Sequence, residues 1–302
     1  RLFHNFEVYS ERVITSAREW AFPDVEHPAS FASLRIGLWI CVILGFGLSL
    51  VGMLNLLHQK KMAENPTSDI TLTNPKKFVW AKLWLWLIAF PVSALVMFLY
   101  VLIPLPSPTF NLIYGGFLGG YGLLMLLLHW FGKMPGVTGK LRNFRFQAAS
   151  LNDGWRWAIL FNLVLFASIT ILYRSGIGLA PPVGVRFAWL LIFLPLTALG
   201  FWLGMLEADA LSLAAPGKSS YRILSVLISL LPFYLYLILL IALGSTSGVL
   251  ASLTGLLILA VSILQGEITR ILTGNYLVSA LLQALLIFWL ILPTGSLFTP
   301  FF

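Results

Sequence analysis

The segment RIGLWICVILGFGLSLVGMLNLL, residues 35–57, is a continuous apolar run of membrane-spanning length. A transmembrane α-helix needs about 20 apolar residues to cross the ~30 Å hydrocarbon core of a bilayer. Similar runs recur along the chain, which is 59% hydrophobic and only 10% charged. Because the runs are continuous rather than alternating, they favour helices over the strands of a membrane barrel. The sequence therefore predicts an all-α polytopic membrane protein.

The apolar runs predict eight transmembrane helices. Pro91, Pro195 and Pro232 fall inside predicted spans, where proline usually marks a kink that neighbouring helices tolerate. The predicted spans 1 to 8 cover about residues 35–57, 82–103, 110–131, 155–173, 187–206, 223–243, 249–264 and 276–292.

Lysine and arginine are distributed unequally between the two predicted membrane sides. Thirteen of the 19 lie in or beside the connections after spans 1, 3, 5 and 7, and six lie on the opposite side. Connections rich in these residues stay in the cytoplasm, so both the N-terminal piece and the C-terminus are predicted to be extracytoplasmic. The net charge of +8 indicates contact with anionic membrane lipids, and no nucleic acid is expected as a partner.

The first four and the last four predicted spans share several features. Spans 1 and 5 both start at an arginine and end in Gly-Met-Leu, and spans 2 and 6 carry a proline nine or ten residues after a basic residue. Such matches also arise by chance in leucine-rich helices. One interpretation is two parallel four-helix repeats, an arrangement found in transporters whose sites lie between the halves.

Polar residues within or beside the spans are candidates for function, because ionisable groups inside a membrane mark proton or ion paths. If span 5 is shifted along the chain, Glu207 becomes the most interesting acid; otherwise solvation at the interface explains the acids. Asn162 and Gln283 lie deeper, and we expect them to form interhelical hydrogen bonds. Four acids fall at predicted cytoplasmic span ends: Asp153, Glu207, Asp209 and Glu267.

Span 3 contains YGGFLGGYG, in which two pairs of glycines are spaced four residues apart. Small residues at this spacing let two helices approach closely. We expect this face, Gly115 with Gly119 and Gly116 with Gly120, to pack within the bundle. A homodimer interface and a substrate passage are the alternatives.

No cofactor or metal is expected from the sequence. Cys41 is the single cysteine, so no disulfide framework is available, and no His-Glu-x-x-His or Cys-x-x-Cys pattern occurs. The four histidines are scattered along the chain: His4, His27, His58 and His129. His58 and His129 fall at cytoplasmic span ends, where interfacial residues are ordinary.

The N-terminal piece is polar and differs in character from the rest of the chain. Ser10 is a suitable N-cap for an amphipathic helix, and Pro23 ends that helix. His4 precedes the helix in a predicted loop. The pattern HNFEVYSERVITSAREWAF resembles the last loop and final helix of α/β-hydrolase-fold proteins, in which the triad histidine follows the serine and the acid.

More broadly, the chain resembles the C-terminal part of a bacterial membrane-anchored α/β-hydrolase-like protein. The resemblance implies that residues 1–24 end an extracytoplasmic soluble domain and residues 25–302 form a transmembrane domain in the bacterial plasma membrane. It also implies a serine hydrolase of ester, lipid or peptide substrates at the outer face, with His4 as the general base. The nucleophile and the acid would precede Arg1. The alternatives are a surface role for His4, and a transporter or permease-like domain with a site between two four-helix halves.

Overall fold

The computed structural model describes residues 11–21, 23, 41, 44–53, 70–138, 153–177, 181–215, 246–294 and 297–298, with six further residues between 224 and 235. These residues are mostly helical, as predicted. The helices are α1 (Glu11–Ala21), α2 (Leu44–Met53), α3 (Pro75–Val101), α4 (Thr109–Trp130), α5 (Asp153–Ile177), α6 (Val185–Ala214), α7 (Thr246–Thr273) and α8 (Tyr276–Ile291), the last followed by a 3₁₀ turn, Leu292–Thr294.

Three described helices are long and apolar enough to cross a membrane: Asn111–Trp130 in α4, Gly154–Ile171 in α5, and α6. A fourth is added if Pro75–Leu85 and Leu87–Val101, the two parts of α3, count as one span bent by 47°. Proline clashes with the carbonyl group four residues before it, which for Pro91 is Leu87, so the bend lies where the sequence predicts a kink. The described residues thus support three or four of the eight predicted spans, and most of span 6 lies outside them.

The helices continue past the span ends that the sequence predicts. α3 begins at Pro75, seven residues before Lys82, and α6 ends at Ala214, seven residues after Glu207. Likewise, Glu267 lies inside α7 rather than after it. The predicted boundaries stopped at these charges because an isolated charge is costly in a membrane. The structure instead gives these charges ionic partners: Lys82 of α3 pairs with Glu207 of α6, and Glu267 pairs with Arg270 of its own helix.

Helix α6 is central to the described bundle. α3 packs along α4, α4 packs on α6, and α6 packs on α8, while α7 contacts both α8 and α5. The contacts do not repeat between the two halves of the chain: α7 packs on α8, whereas their counterparts α4 and α5 have no comparable interface. The described contacts therefore do not show two matching four-helix repeats.

The glycine face of α4 packs inside the bundle, as expected. A Cβ atom on Gly115 would lie 2.6 Å from the Phe193 ring of α6, and one on Gly116 would lie 2.7 Å from Met97 of α3. Gly120 likewise lies against the Ser93 backbone. Since this face is occupied by α3 and α6 of the same chain, a homodimer stays a prediction and would need another surface.

Two short antiparallel sheets tie the connections between helices. Strand β1 (Thr71–Leu72) pairs with β3 (Val137–Thr138), and β2 (Ser107–Pro108) pairs with β4 (Leu297–Phe298). The β1–β3 sheet lies at the end of the bundle where α3 begins and α4 ends. We call this the basic end, because the predicted lysine- and arginine-rich connections are there.

The outward faces of α3 and α5 are strongly apolar. Trp84 and Leu87 of α3 are 66% and 64% exposed, and Leu163 of α5 is 64% exposed. Large apolar patches on a protein surface mark interaction with an apolar partner. Such faces are compatible with a membrane protein, and contact with membrane lipids stays a prediction.

The N-terminal helix occurs where the sequence predicts it. α1 begins at Glu11, directly after the predicted N-cap Ser10, and ends at Ala21, before Pro23. His4, His27 and His58 lie outside the described residues. The α/β-hydrolase domain and the division at residue 24 therefore stay predictions.

The close approach of α4 and α6 gives a test of this packing. A Cβ atom on Gly122 would overlap the Leu196 carbonyl oxygen, whereas one on Gly204 meets nothing within 4 Å. We expect Gly122→Ala to destabilise the bundle by about 1–3 kcal/mol, because two backbones must separate. Gly204→Ala is the matched control and should leave the thermal unfolding midpoint in detergent unchanged or slightly raised. Equal midpoints for the two variants would contradict this packing.

Candidate functional site

Three ionisable side chains from three helices meet inside the bundle. The Glu207 Oε2 atom lies 2.6 Å from the Lys82 Nζ atom, and the Glu207 Oε1 atom lies 2.8 Å from the His129 Nε2 atom. The exposed fractions are 3% for Lys82 and His129 and 1% for Glu207. We call these three residues the buried charge cluster. Each carboxylate oxygen thus has its own partner.

The helix ends place the cluster at one depth. Lys82 is seven residues into α3 and Glu207 is seven residues from the end of α6, which is about 10 Å at 1.5 Å per residue. His129 is one residue from the end of α4. All three therefore lie near the basic end of the bundle, inside it rather than at its surface.

The connection after α4 folds back over this end. Met134 is 3% exposed and belongs to the same apolar cluster as Phe78 and Leu206. Gly136 has φ +79°, a conformation that favours glycine, and its position lies against Asn74 and Phe78 at the start of α3. The turn therefore packs on the start of α3 beside Phe78, whose ring centre lies 5.5 Å from the Lys82 Nζ atom.

The Lys82 ammonium group has further neighbours. It donates to the Ser225 Oγ atom at 3.3 Å, and its nitrogen lies 5.5 Å from the centre of the Phe78 ring. The Tyr121 side chain also lies beside it. Burying an ion costs several kcal/mol unless good geometry and additional hydrogen bonds offset the lost hydration. These contacts provide that compensation for the cation.

The cluster joins distant parts of the chain. Lys82 and His129 belong to predicted spans 2 and 3, whereas Glu207 directly follows predicted span 5 and Ser225 belongs to predicted span 6. The cluster therefore lies between the first four and the last four predicted spans. That is the position at which the transporter hypothesis predicts a site.

A second ionic network holds the other side of α6. The Asp209 Oδ2 atom accepts hydrogen bonds from Arg270 Nη1 at 2.9 Å and from the Tyr276 hydroxyl at 2.6 Å. Arg270 also donates to Glu267 Oε2 at 2.8 Å and 3.2 Å. Arg270 is 13% exposed, so this network is less enclosed than the buried charge cluster. It fixes α6, α7 and α8 to one another.

An uncharged network joins α5 and α7. Asn162 Nδ2 donates to Thr269 Oγ1 at 3.0 Å, and Gln265 Nε2 donates to Asn162 Oδ1 at 2.7 Å. The prediction of an interhelical hydrogen bond for Asn162 is therefore confirmed. No such bond is shown for Gln283, whose Oε1 atom has no partner in the described part of the chain.

The sequence located the residues of the buried charge cluster only in part. Glu207 is buried inside α6, so solvation at the interface is wrong for it, and the alternative that singled out this acid is the better one. Lys82 and His129 were assigned to a span edge and an interface, but both are buried. The sequence did contain a signal that these residues could meet, because Lys82, His129 and Glu207 all fall near the same predicted side of the membrane. The candidate catalytic residue His4 lies outside the described residues.

Comparisons with known proteins identified no related protein. No protein-family model matches the chain, and no curated protein or solved structure matches it significantly.

Proposed function

We propose that the helical bundle is the membrane domain of a proton-linked transporter, with the buried charge cluster as its proton-binding site. The observation that carries the proposal is Glu207, a carboxylate 1% exposed whose two oxygens are bound separately by Lys82 and His129. Ionisable side chains inside membrane domains are rare, and they mark proton relays and substrate paths.

His129 is the member of the cluster that can change its charge while the Lys82–Glu207 ion pair stays intact. A neutral imidazole can donate its Nε2 hydrogen to Glu207 and accept a proton at Nδ1. The Glu207 Oε1 atom lies 2.8 Å from Nε2 and can accept that hydrogen bond from either charge state of the imidazole. Proton uptake then leaves the cluster with one net positive charge.

This change of charge gives protonation a mechanical consequence. An uncompensated positive charge is costly in an apolar interior, so the protonated cluster favours an arrangement in which it meets water or an anion. Reaching either requires α6 to shift against α3 and α4. A proton-linked transporter needs proton binding and helix arrangement to be coupled. This requires the proton to bind the two arrangements of the helices with different affinities.

A proton-flux measurement tests the proposal. We expect the chain in proteoliposomes, with a trapped pH indicator and an imposed inside-negative potential, to acidify the lumen faster than empty vesicles do. His129→Gln should lower this rate at least about tenfold, because glutamine can donate to Glu207 but cannot exchange a proton. Gly204→Ala is the control, because it lies on the same helix and its added methyl group meets nothing within 4 Å; it should retain the flux.

Two results would contradict the proposal. One is wild-type vesicles that acidify no faster than empty ones. The other is a His129→Gln variant that folds and acidifies the vesicles at the wild-type rate.

A second candidate function is favoured by α1. This helix begins directly after Ser10 and ends before Pro23, as expected of the final helix that follows the histidine loop in the α/β-hydrolase fold. We propose that the intact protein is also a serine hydrolase of ester, lipid or peptide substrates at the outer face of a bacterial plasma membrane. His4 would take the serine proton as general base. The two proposals are compatible, because they use different parts of the chain.

Labelling with a fluorophosphonate probe tests the hydrolase proposal on the full-length protein in nanodiscs. We expect the wild type to react and His4→Ala to react about 10²–10⁴ times more slowly, the usual contribution of a positioned base. His129→Gln should react normally, since it lies in the bundle. Folded wild-type protein that takes up no probe would exclude an active serine hydrolase.

A further inference from the structure

The amide network between α5 and α7 has only one arrangement of donors and acceptors. Asn162 Nδ2 lies 2.8 Å from the Ala158 carbonyl oxygen, which can only accept, so the orientation of the Asn162 amide is fixed. Its Oδ1 atom therefore faces Gln265, which must present Nε2 to it. The Gln265 Oε1 atom is consequently an acceptor that points away from Asn162.

This acceptor is fully enclosed and has no donor. Gln265 is 0% exposed, and within the described part of the chain its Oε1 atom has no hydrogen-bond partner. Thr269 cannot supply the hydrogen, because its hydroxyl already donates to the Gln265 backbone carbonyl at 2.8 Å. Leaving a buried acceptor without a donor is unfavourable, and native proteins normally satisfy such groups.

A second glutamine repeats the situation on the neighbouring helix. Gln283 of α8 is 3% exposed, and its Oε1 atom also lacks a partner among the described residues. Its amide fills space that Gly266 of α7 leaves open, since a Cβ atom there would lie 2.7 Å from Gln283 Oε1. The amide oxygen of Gln283 thus lies against α7 at Gly266, the residue that follows Gln265.

We infer that Gln265 and Gln283 form a binding site for neutral hydroxyl donors among α5, α7 and α8. Two sources offer the same chemistry: ordered water, and the hydroxyl groups of a small polyol. Either would donate hydrogen bonds to the amide oxygens. The inference does not depend on proton transfer at Glu207.

The surroundings favour a neutral donor over a cation. The buried polar neighbours on α5 and α7 are uncharged: Asn162, Ser262 and Thr269. Glu267 and Arg270, the charged residues nearest along α7, are bound to each other, and Arg270 is also bound to Asp209. A dehydrated cation would need a counter-charge in an apolar interior, and amide oxygens do not supply one. A hydroxyl group needs only an acceptor.

Replacing Gln283 with methionine tests the site, because methionine has similar length and flexibility but no polar atoms. If a hydroxyl donor occupies the site, Gln283→Met loses that hydrogen bond, and we expect the unfolding midpoint in nanodiscs to fall by about 2–4 °C. If nothing binds, the substitution removes an unsatisfied acceptor and the midpoint rises. Leu285→Met, a half-buried position of α8, is the control for the change in packing.

The buffer composition separates the two sources. A fall in a buffer that contains no polyol identifies ordered water as the donor. If the Gln283→Met midpoint lies below that of wild type only in buffer with millimolar erythritol, because erythritol stabilises the wild type, the donor is a polyol. Stabilisation of the wild type by sodium ions alone, or a Gln283→Met midpoint equal to or above that of wild type in every buffer, would overturn the inference.

Discussion

The Glu207 carboxylate imposes the constraint on which the described bundle depends. It is almost fully buried in a domain of apolar helices, so its lost hydration must be offset by partners held at hydrogen-bonding distance. Lys82 and His129 supply them from α3 and α4 at 2.6 Å and 2.8 Å. These three helices must therefore keep their relative positions closely, and the small residues of α4 allow them to do so. Gly120 lies against the Ser93 backbone of α3, and Gly122 lies against α6.

Helix α6 carries this constraint to the rest of the bundle. Glu207 and Asp209 are two residues apart, which is about 200° around an α-helix, so they point to opposite sides. Glu207 binds α3 and α4, whereas Asp209 binds Arg270 of α7 and Tyr276 of α8. α6 is thus fixed from both sides at one depth. A change of charge on either side would be felt at the interfaces of α6, which is the physical basis of the proposed link between protonation and helix movement.

The sequence predicted the class of fold better than it predicted the site. Continuous apolar runs predict membrane helices because the cost of placing each side chain in a bilayer depends mainly on that side chain. The same cost predicts that Asn162, a polar residue within an apolar run, forms an interhelical hydrogen bond. The predicted start of α3 and the predicted end of α6 were wrong. The sequence shows the cost of burying each charge, but it does not show the partner that offsets this cost. The partner of Glu207 is Lys82, far away along the chain, and periodicity within one helix carries no information about such a pair.

A double-mutant cycle on Lys82 and Glu207 tests the central claim most directly. The thermal stability of Lys82→Met, Glu207→Gln and the double variant would be compared with wild type in nanodiscs. If the two side chains form a buried ion pair, each single variant leaves the other residue buried without its opposite charge. We expect each to lose stability, by about 3–5 kcal/mol. The double variant should then recover much of that loss. Additive single effects, or a negligible effect of either, would show that the two groups do not interact and would contradict the account.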